Sequence, residues 1–136
     1  MYVNEVRIRV RYAETDRMGY VYYGHYATYF EVARVEMLRS LGFTYKILED
    51  EGILLPVLKY SIKYNKPAYY DDHLKIKTTI KELPTARIHF EYETFNEKDE
   101  LLNVAETTLV FVNKKSGKPT ACPSDLMQAM SKAFSI

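Results

Sequence analysis

Residues 13–41, AETDRMGYVYYGHYATYFEVARVEMLRSL, change character twice, and the rest of the chain is read from them. Thr15-Asp16-Arg17-Met18-Gly19 places Asp at the first position of a turn and Gly three residues later, as a type I turn prefers. Tyr20 to Tyr23 is aromatic and too short to be more than an extended connector. From about His25 to Leu41 the period becomes helical. Tyr26, Tyr29, Phe30, Ala33, Met37 and Leu41 share one face, while Thr28, Glu31 and Arg39 lie away from it. Gly24 is read as the N-cap and Gly42 as the C-terminal stop.

Outside this stretch the period is mostly two. Upstream, Tyr2 to Tyr12 reads as a strand with Val6, Ile8, Val10 and Tyr12 on one face and Arg7, Arg9 and Arg11 on the other. A short helix, Thr44 to Glu51, follows the long one, with Thr44 as its cap and Gly52 as its exit. Strands are then predicted over Leu55–Tyr64, His73–Leu83, Arg87–Phe95 and Leu101–Asn113. The last is apolar on both faces toward its end, the pattern of a central strand. Asn96 to Glu100 is a polar hairpin turn, and a final helix runs from about Pro123 to Ala133. Strands with one apolar face need a cover, and only the Tyr26–Leu41 helix is long and apolar enough. The implied fold class is α+β: one domain over residues 1–136, a long central helix wrapped by a five-stranded antiparallel sheet.

Composition excludes several functions. A net charge of +1 offers no general attraction to nucleic acid or anionic membrane, so any anionic ligand must meet a local basic group. The single Cys122 rules out an intrachain disulfide and an all-cysteine metal cluster, and fits a reducing compartment. No apolar run approaches the ~20 residues of a membrane span, and the amino terminus has no signal pattern. A cytoplasmic location is expected. No two histidines share metal-ligand spacing with a carboxylate, so no metal is expected; His73 and His89 read as surface residues.

The turn and the helix start together can form a reactive corner, with a carboxylate facing unpaired backbone N–H groups. Asp16 can be a local backbone acceptor in its turn or a general base or nucleophile. The amides of Tyr23, Gly24 and His25 can donate to developing negative charge, which the helix end also favours. Gly24 can alternatively be simply a cap. His25 can be a neutral hydrogen-bond donor or polar lining group, or simply an exposed first-turn residue, rather than a base, since the positive end of a helix disfavours an imidazolium. Glu31 and Glu36 flank Arg34 on the helix, Glu31 at the three-residue spacing of surface pairs.

With these residues in view, the chain resembles the 4-hydroxybenzoyl-CoA thioesterase branch of the hotdog-fold superfamily. The likeness is carried by Arg9-Val10, Thr15-Asp16, Gly19, Val21 to Tyr26, Tyr29-Phe30-Glu31, Ala33-Arg34 and Glu36-Met37-Leu38, and by Lys66-Pro67-Ala68-Tyr69-Tyr70-Asp71-Asp72. Tyr20 and His25 depart from the family's usual aliphatic and small polar residues. The resemblance implies hydrolysis of an acyl-CoA thioester, without metal or bound cofactor, in a homodimer or homotetramer. It makes Asp16 the catalytic carboxylate and the Tyr23 amide the oxyanion donor, with Gly24 letting the acyl group approach the backbone. Glu31 stands as a reserve carboxylate, because a related branch uses a helix glutamate. Tyr22, His25 and Tyr26 would contact substrate, and Lys59 and Arg87, with Lys63 and Lys66, would meet the phosphates of coenzyme A. Alternatives are a non-catalytic acyl-thioester-binding protein, an acyl-carrier-protein thioesterase and a hydratase or dehydratase working through Asp16 and His25.

Overall fold

The computed structural model describes residues 1–135. β1 (Tyr2–Arg9) leads through a 3-10 turn (Tyr12–Glu14) to α1 (Tyr23–Ser40) and α2 (Tyr45–Asp50). Then follow β2 (Ile53–Leu54), β3 (Val57–Tyr64), β4 (His73–Ile80), β5 (Arg87–Phe95), β6 (Leu101–Val110), β7 (Val112–Asn113) and α3 (Ser124–Phe134). The long strands form one antiparallel sheet in the order β1-β4-β5-β6-β3, while β2 and β7 make a separate two-stranded ladder. The predicted class and strand count therefore describe the sheet.

The alternation read from the chain sets which side faces α1. Leu74, Ile76 and Ile80 of β4, Ile88, Phe90 and Tyr92 of β5, and Ala105 and Leu109 of β6 are buried on the inner face. From α1, Tyr26, Tyr29, Phe30, Ala33, Met37 and Leu38 meet them. Phe30 stacks on Tyr92 with ring centroids 4.5 Å apart. Gly42 ends α1 at φ +90°, where a side chain would be strained. The Gly42 and Phe43 amides turn back to the carbonyls of Arg39 and Leu38, the pattern of a Schellman motif.

Four expectations need correction. β1 stops at Arg9, and Tyr12 is 78% exposed, because the chain curls at Glu14 instead of extending. The start of α1 lies at Tyr23, with Tyr22 rather than Gly24 at the cap position; helix ends are the boundaries that pattern reading places least well. The predicted last strand breaks at Phe111, whose amide donates to Ala86 and whose carbonyl accepts from Thr120, so β7 leaves the main sheet. Arg34 is buried, not paired on the surface. Its guanidinium donates to the hydroxyls of Tyr45 and Tyr92, both at 3.2 Å, and Glu36 instead pairs with Arg39.

Glu14 fastens the turn region to α1. It is 4% exposed, and a carboxylate so placed must be satisfied by donors. It accepts from the Arg11 amide at 2.9 Å, from the Arg11 guanidinium at 2.6 and 3.0 Å, and from the Tyr29 hydroxyl at 2.8 Å. Its carbonyl accepts the Tyr22 amide at 2.8 Å, just before α1. Burial alone works to raise the Glu14 pKa. The hydrogen bonds from Arg11 and Tyr29 outweigh it and hold the group below the usual glutamate range.

Two outcomes follow for stability. Glu14→Ala leaves the buried Tyr29 hydroxyl without its acceptor and is expected to cost about 1–3 kcal/mol in urea unfolding. Because the folded-state pKa lies below the unfolded one, the stabilisation is complete above the ordinary carboxylate range and fades as pH falls through the folded value. The stability gap between wild type and Glu14→Gln should therefore narrow below about pH 4; a gap that holds constant into acid contradicts this role.

Candidate active site

The Asp16 turn is fixed through its backbone. The Asp16 amide donates to Tyr20 at 2.9 Å and its carbonyl accepts from Gly19 at 3.0 Å. Gly19 sits at φ +79°, a left-handed position that glycine takes without strain. Of the exposed carboxylate, Oδ1 accepts the Met18 amide at 2.9 Å. Oδ2 has no hydrogen-bond partner among the described residues. The connector after the turn is not free chain either: the Val21 amide donates to Ala68 at 2.8 Å, and Tyr20 bridges to Tyr69. Three segments are thereby sewn together: the Asp16 turn, the start of α1 and the loop that follows β3.

At the head of α1, Tyr22 is extended (φ −61°, ψ 133°) and gives no side-chain cap. The expected trio of free amides is reduced to a pair, because the His25 N–H donates to the Tyr22 carbonyl at 2.9 Å. The Tyr23 and Gly24 amides have no partner among the described residues, as the first turn of a helix leaves them. A Cβ on Gly24 would lie 2.7 Å from Cε2 of Tyr22. Glycine there admits the ring of Tyr22, which packs against Tyr23 (4.6 Å) and His25 (6.0 Å).

A cleft of about 330 Å³ opens beside this corner. Asp16, Tyr20, Val21 and Tyr23 form one side, with Tyr26, Tyr64 and the Asn65–Pro67 turn forming the other. Four of its walls are thus tyrosines, faces that suit apolar or flat groups and hydroxyls that can find polar ones. Tyr26 is 2% exposed. Burial pushes its hydroxyl pKa up to about 12, with the neighbouring Tyr64 adding to the rise, so it is a neutral hydrogen-bonding group at physiological pH.

The structure thus gathers Asp16, Tyr23 and Tyr26 at one opening. It leaves Tyr22, Gly24 and His25 outside the lining, on the flank where the Tyr22 ring covers Gly24. Lys59 pairs with Thr108 and Arg87 with Val110, whereas Tyr64 at the cleft pairs with Asn103. At ~3.3 Å per residue, Lys59 is about 17 Å along β3 from Tyr64. Lys66 is the basic residue at the rim, and its ammonium pairs with Glu100. Glu31 is exposed. Tyr64 and Glu14 are the two residues of this region that sequence reasoning misses; the three-residue spacing of Arg11 and Glu14 is the one local signal that bears on Glu14. What ties Glu14 to Tyr29 is tertiary and leaves no mark in local pattern.

Comparison with known proteins agrees with this architecture. Residues 10–130 match the family model described as the thioesterase-like superfamily. A putative acyl-CoA thioesterase, YneP of Bacillus subtilis (strain 168), is 37% identical over 119 residues, covering 88% of this chain and 86% of the relative. The acyl-CoA thioester hydrolase YbgC of Escherichia coli O6:H1 is 36% identical over 120 residues, 88% of this chain and 90% of its own. Among solved structures, a DHNA-CoA thioesterase from Staphylococcus aureus superposes with a TM-score of 0.93 at 38% identity, covering 99% of this chain and 93% of that one. With a central helix in a five-stranded antiparallel sheet, and with relatives aligned over most of their lengths, this chain belongs to the thioesterase-like superfamily of hotdog-fold proteins.

Proposed function

We propose that the protein hydrolyses acyl-CoA thioesters to the free acid and coenzyme A, with Asp16 as the catalytic carboxylate and the Tyr23 amide as oxyanion donor. The observation that carries this reading is the meeting, at one cleft, of Asp16, one of whose carboxylate oxygens has no partner among the described residues, and Tyr23, whose helix-start amide has none there either. Tyr23 is preferred to Gly24 because Tyr23 lines the cleft while Gly24 lies under the Tyr22 ring. The names of YneP, YbgC and the S. aureus enzyme support the same chemistry.

As general base, Asp16 takes a proton from water as the oxygen attacks the carbonyl carbon. The oxyanion accepts from Tyr23, and collapse expels the CoA thiolate, which is then protonated. As nucleophile, an Asp16 oxygen displaces the thiolate to give a mixed anhydride that water then opens. Either route makes Asp16 necessary. Lys66 is the ammonium at the rim for a phosphate, which leaves Lys59 and Arg87 as candidates for the distant nucleotide end only.

The working unit is read as a homodimer. β3 is an edge strand eight residues long, exposed along most of its length, with Val57, Leu58, Tyr60 and Tyr64 among its exposed apolar residues. An unprotected edge of this kind favours pairing with another strand. A second copy on β3 would also close the Tyr64 side of the cleft. In ultracentrifugation the protein is expected to sediment as a dimer or larger, and Val57→Lys with Leu58→Lys to shift it toward monomer; a wild-type monomer at assay concentration contradicts this.

The activity is tested by thiol release from short, long and aromatic acyl-CoAs, with an acyl-carrier-protein thioester alongside. Asp16→Asn should keep the fold and lower kcat by a factor of ~10²–10⁴. Undiminished turnover in this variant removes Asp16 from the chemistry. Stoichiometric binding without release from any ester supports the binding-protein alternative instead.

A further inference from the structure

Behind the cleft, the inner face of the sheet holds polar groups that nothing among the described residues satisfies. Thr94 of β5 stands directly opposite Asn103 of β6, which stands opposite Tyr64 of β3. Thr94 and Asn103 are both fully buried. Thr94 Oγ1 and both Oδ1 and Nδ2 of Asn103 lack a hydrogen-bond partner among the described residues. A buried amide with neither end paired is a costly arrangement, since each group has given up its hydrogen bonds to water without replacement. Native interiors meet such needs with ordered water when two or more polar groups converge.

The third group in reach is the Tyr26 hydroxyl at the cleft. The Ala68 backbone and, after it, the Asn103 side chain lie close enough to ease its ionisation against the effect of burial, yet no direct hydrogen bond of good geometry joins Asn103 to Tyr26. The Tyr26 ring itself has little freedom, held by Tyr29 (5.7 Å), Phe30 (6.2 Å) and Tyr64 (5.8 Å). What remains open is the direction of its O–H, a rotor that follows whichever partner it is given.

We propose that Asn103 and Thr94 hold one ordered water behind the cleft, and that through this water Asn103 is a positioning residue for the Tyr26 hydroxyl. A water donating to the Tyr26 oxygen turns the Tyr26 proton toward the cleft, where it can be donated to an oxygen of the bound acyl group. This second half rests on the reading of the cleft as the acyl site; the water itself does not.

A crystal structure of the full-length protein, at a resolution that shows ordered solvent, is expected to place one water within hydrogen-bonding distance of Asn103, Thr94 and Tyr26. Asn103→Leu should lose that water and raise KM for the best acyl-CoA substrate roughly three- to tenfold, with kcat little changed. Thr94→Val should move KM in the same direction, and it decides the matter if Asn103→Leu does not fold. Thr78→Val is the control. It removes an equally unpartnered buried hydroxyl opposite Tyr92, one row further along the sheet, and should leave KM unchanged. Density showing the Asn103 amide bonded only to protein groups overturns the water site. A destabilised Asn103→Leu with unaltered KM overturns the positioning role. Absence of turnover with every ester would remove the acyl reading and the positioning role together, while the density would still decide the water.

Discussion

The carboxylate of Glu14 has to be buried and satisfied at once, and the candidate site depends on how that is done. Its two oxygens take donors from Arg11 and Tyr29, and its carbonyl takes the Tyr22 amide. The chain leaving β1 is thus tied to the second turn of α1 and to the residue that opens that helix. Everything between, including Asp16, is a loop closed at both ends. The Arg11 guanidinium is largely exposed, so the bridge gains little from Coulomb attraction across water. The buried part, Tyr29 to Glu14, is where the energy of the arrangement lies.

Given that closure, local geometry accounts for the rest of the corner. Gly19 takes the left-handed turn, Asp16 uses one oxygen within the turn and leaves the other, and the helix cannot satisfy its first amides. His25 then satisfies its amide through Tyr22, which narrows the donors to Tyr23 and Gly24. The corner needs no metal-ligand cluster to be chemically asymmetric: one side offers an acceptor and the other offers donors in front of a helix dipole.

Much of this was legible in the chain because it follows from periodicity. The inner residues of β4 and β5 and the face from Tyr26 to Met37 are set by spacing alone, and the glycines at 19 and 42 by turn chemistry. Side chains that reach across the fold were not legible. Arg34 looks like a surface partner of Glu31 and Glu36, and only the packing of α1 against Tyr45 and Tyr92 takes it inside. Gly24 looks like a cap, and its need comes from the Tyr22 ring that lies over it. Lys59 and Arg87 have the right charge but stand far along their strands from Tyr64 at the cleft, something that register decides and one-dimensional pattern does not. Asn103 sits at an inward position in an apolar run and gives no local signal of what surrounds it.

The most direct measurement is a crystal structure with an acyl-CoA analogue in which a methylene separates the carbonyl from the sulfur, so that hydrolysis cannot occur. The account predicts its carbonyl oxygen about 3 Å from the Tyr23 amide nitrogen, with the free oxygen of Asp16 facing the carbonyl carbon or a water beside it. An analogue seated instead in the neighbouring groove of about 530 Å³ between Lys66 and the Asn96–Glu100 turn, with its carbonyl away from Tyr23, would contradict the account.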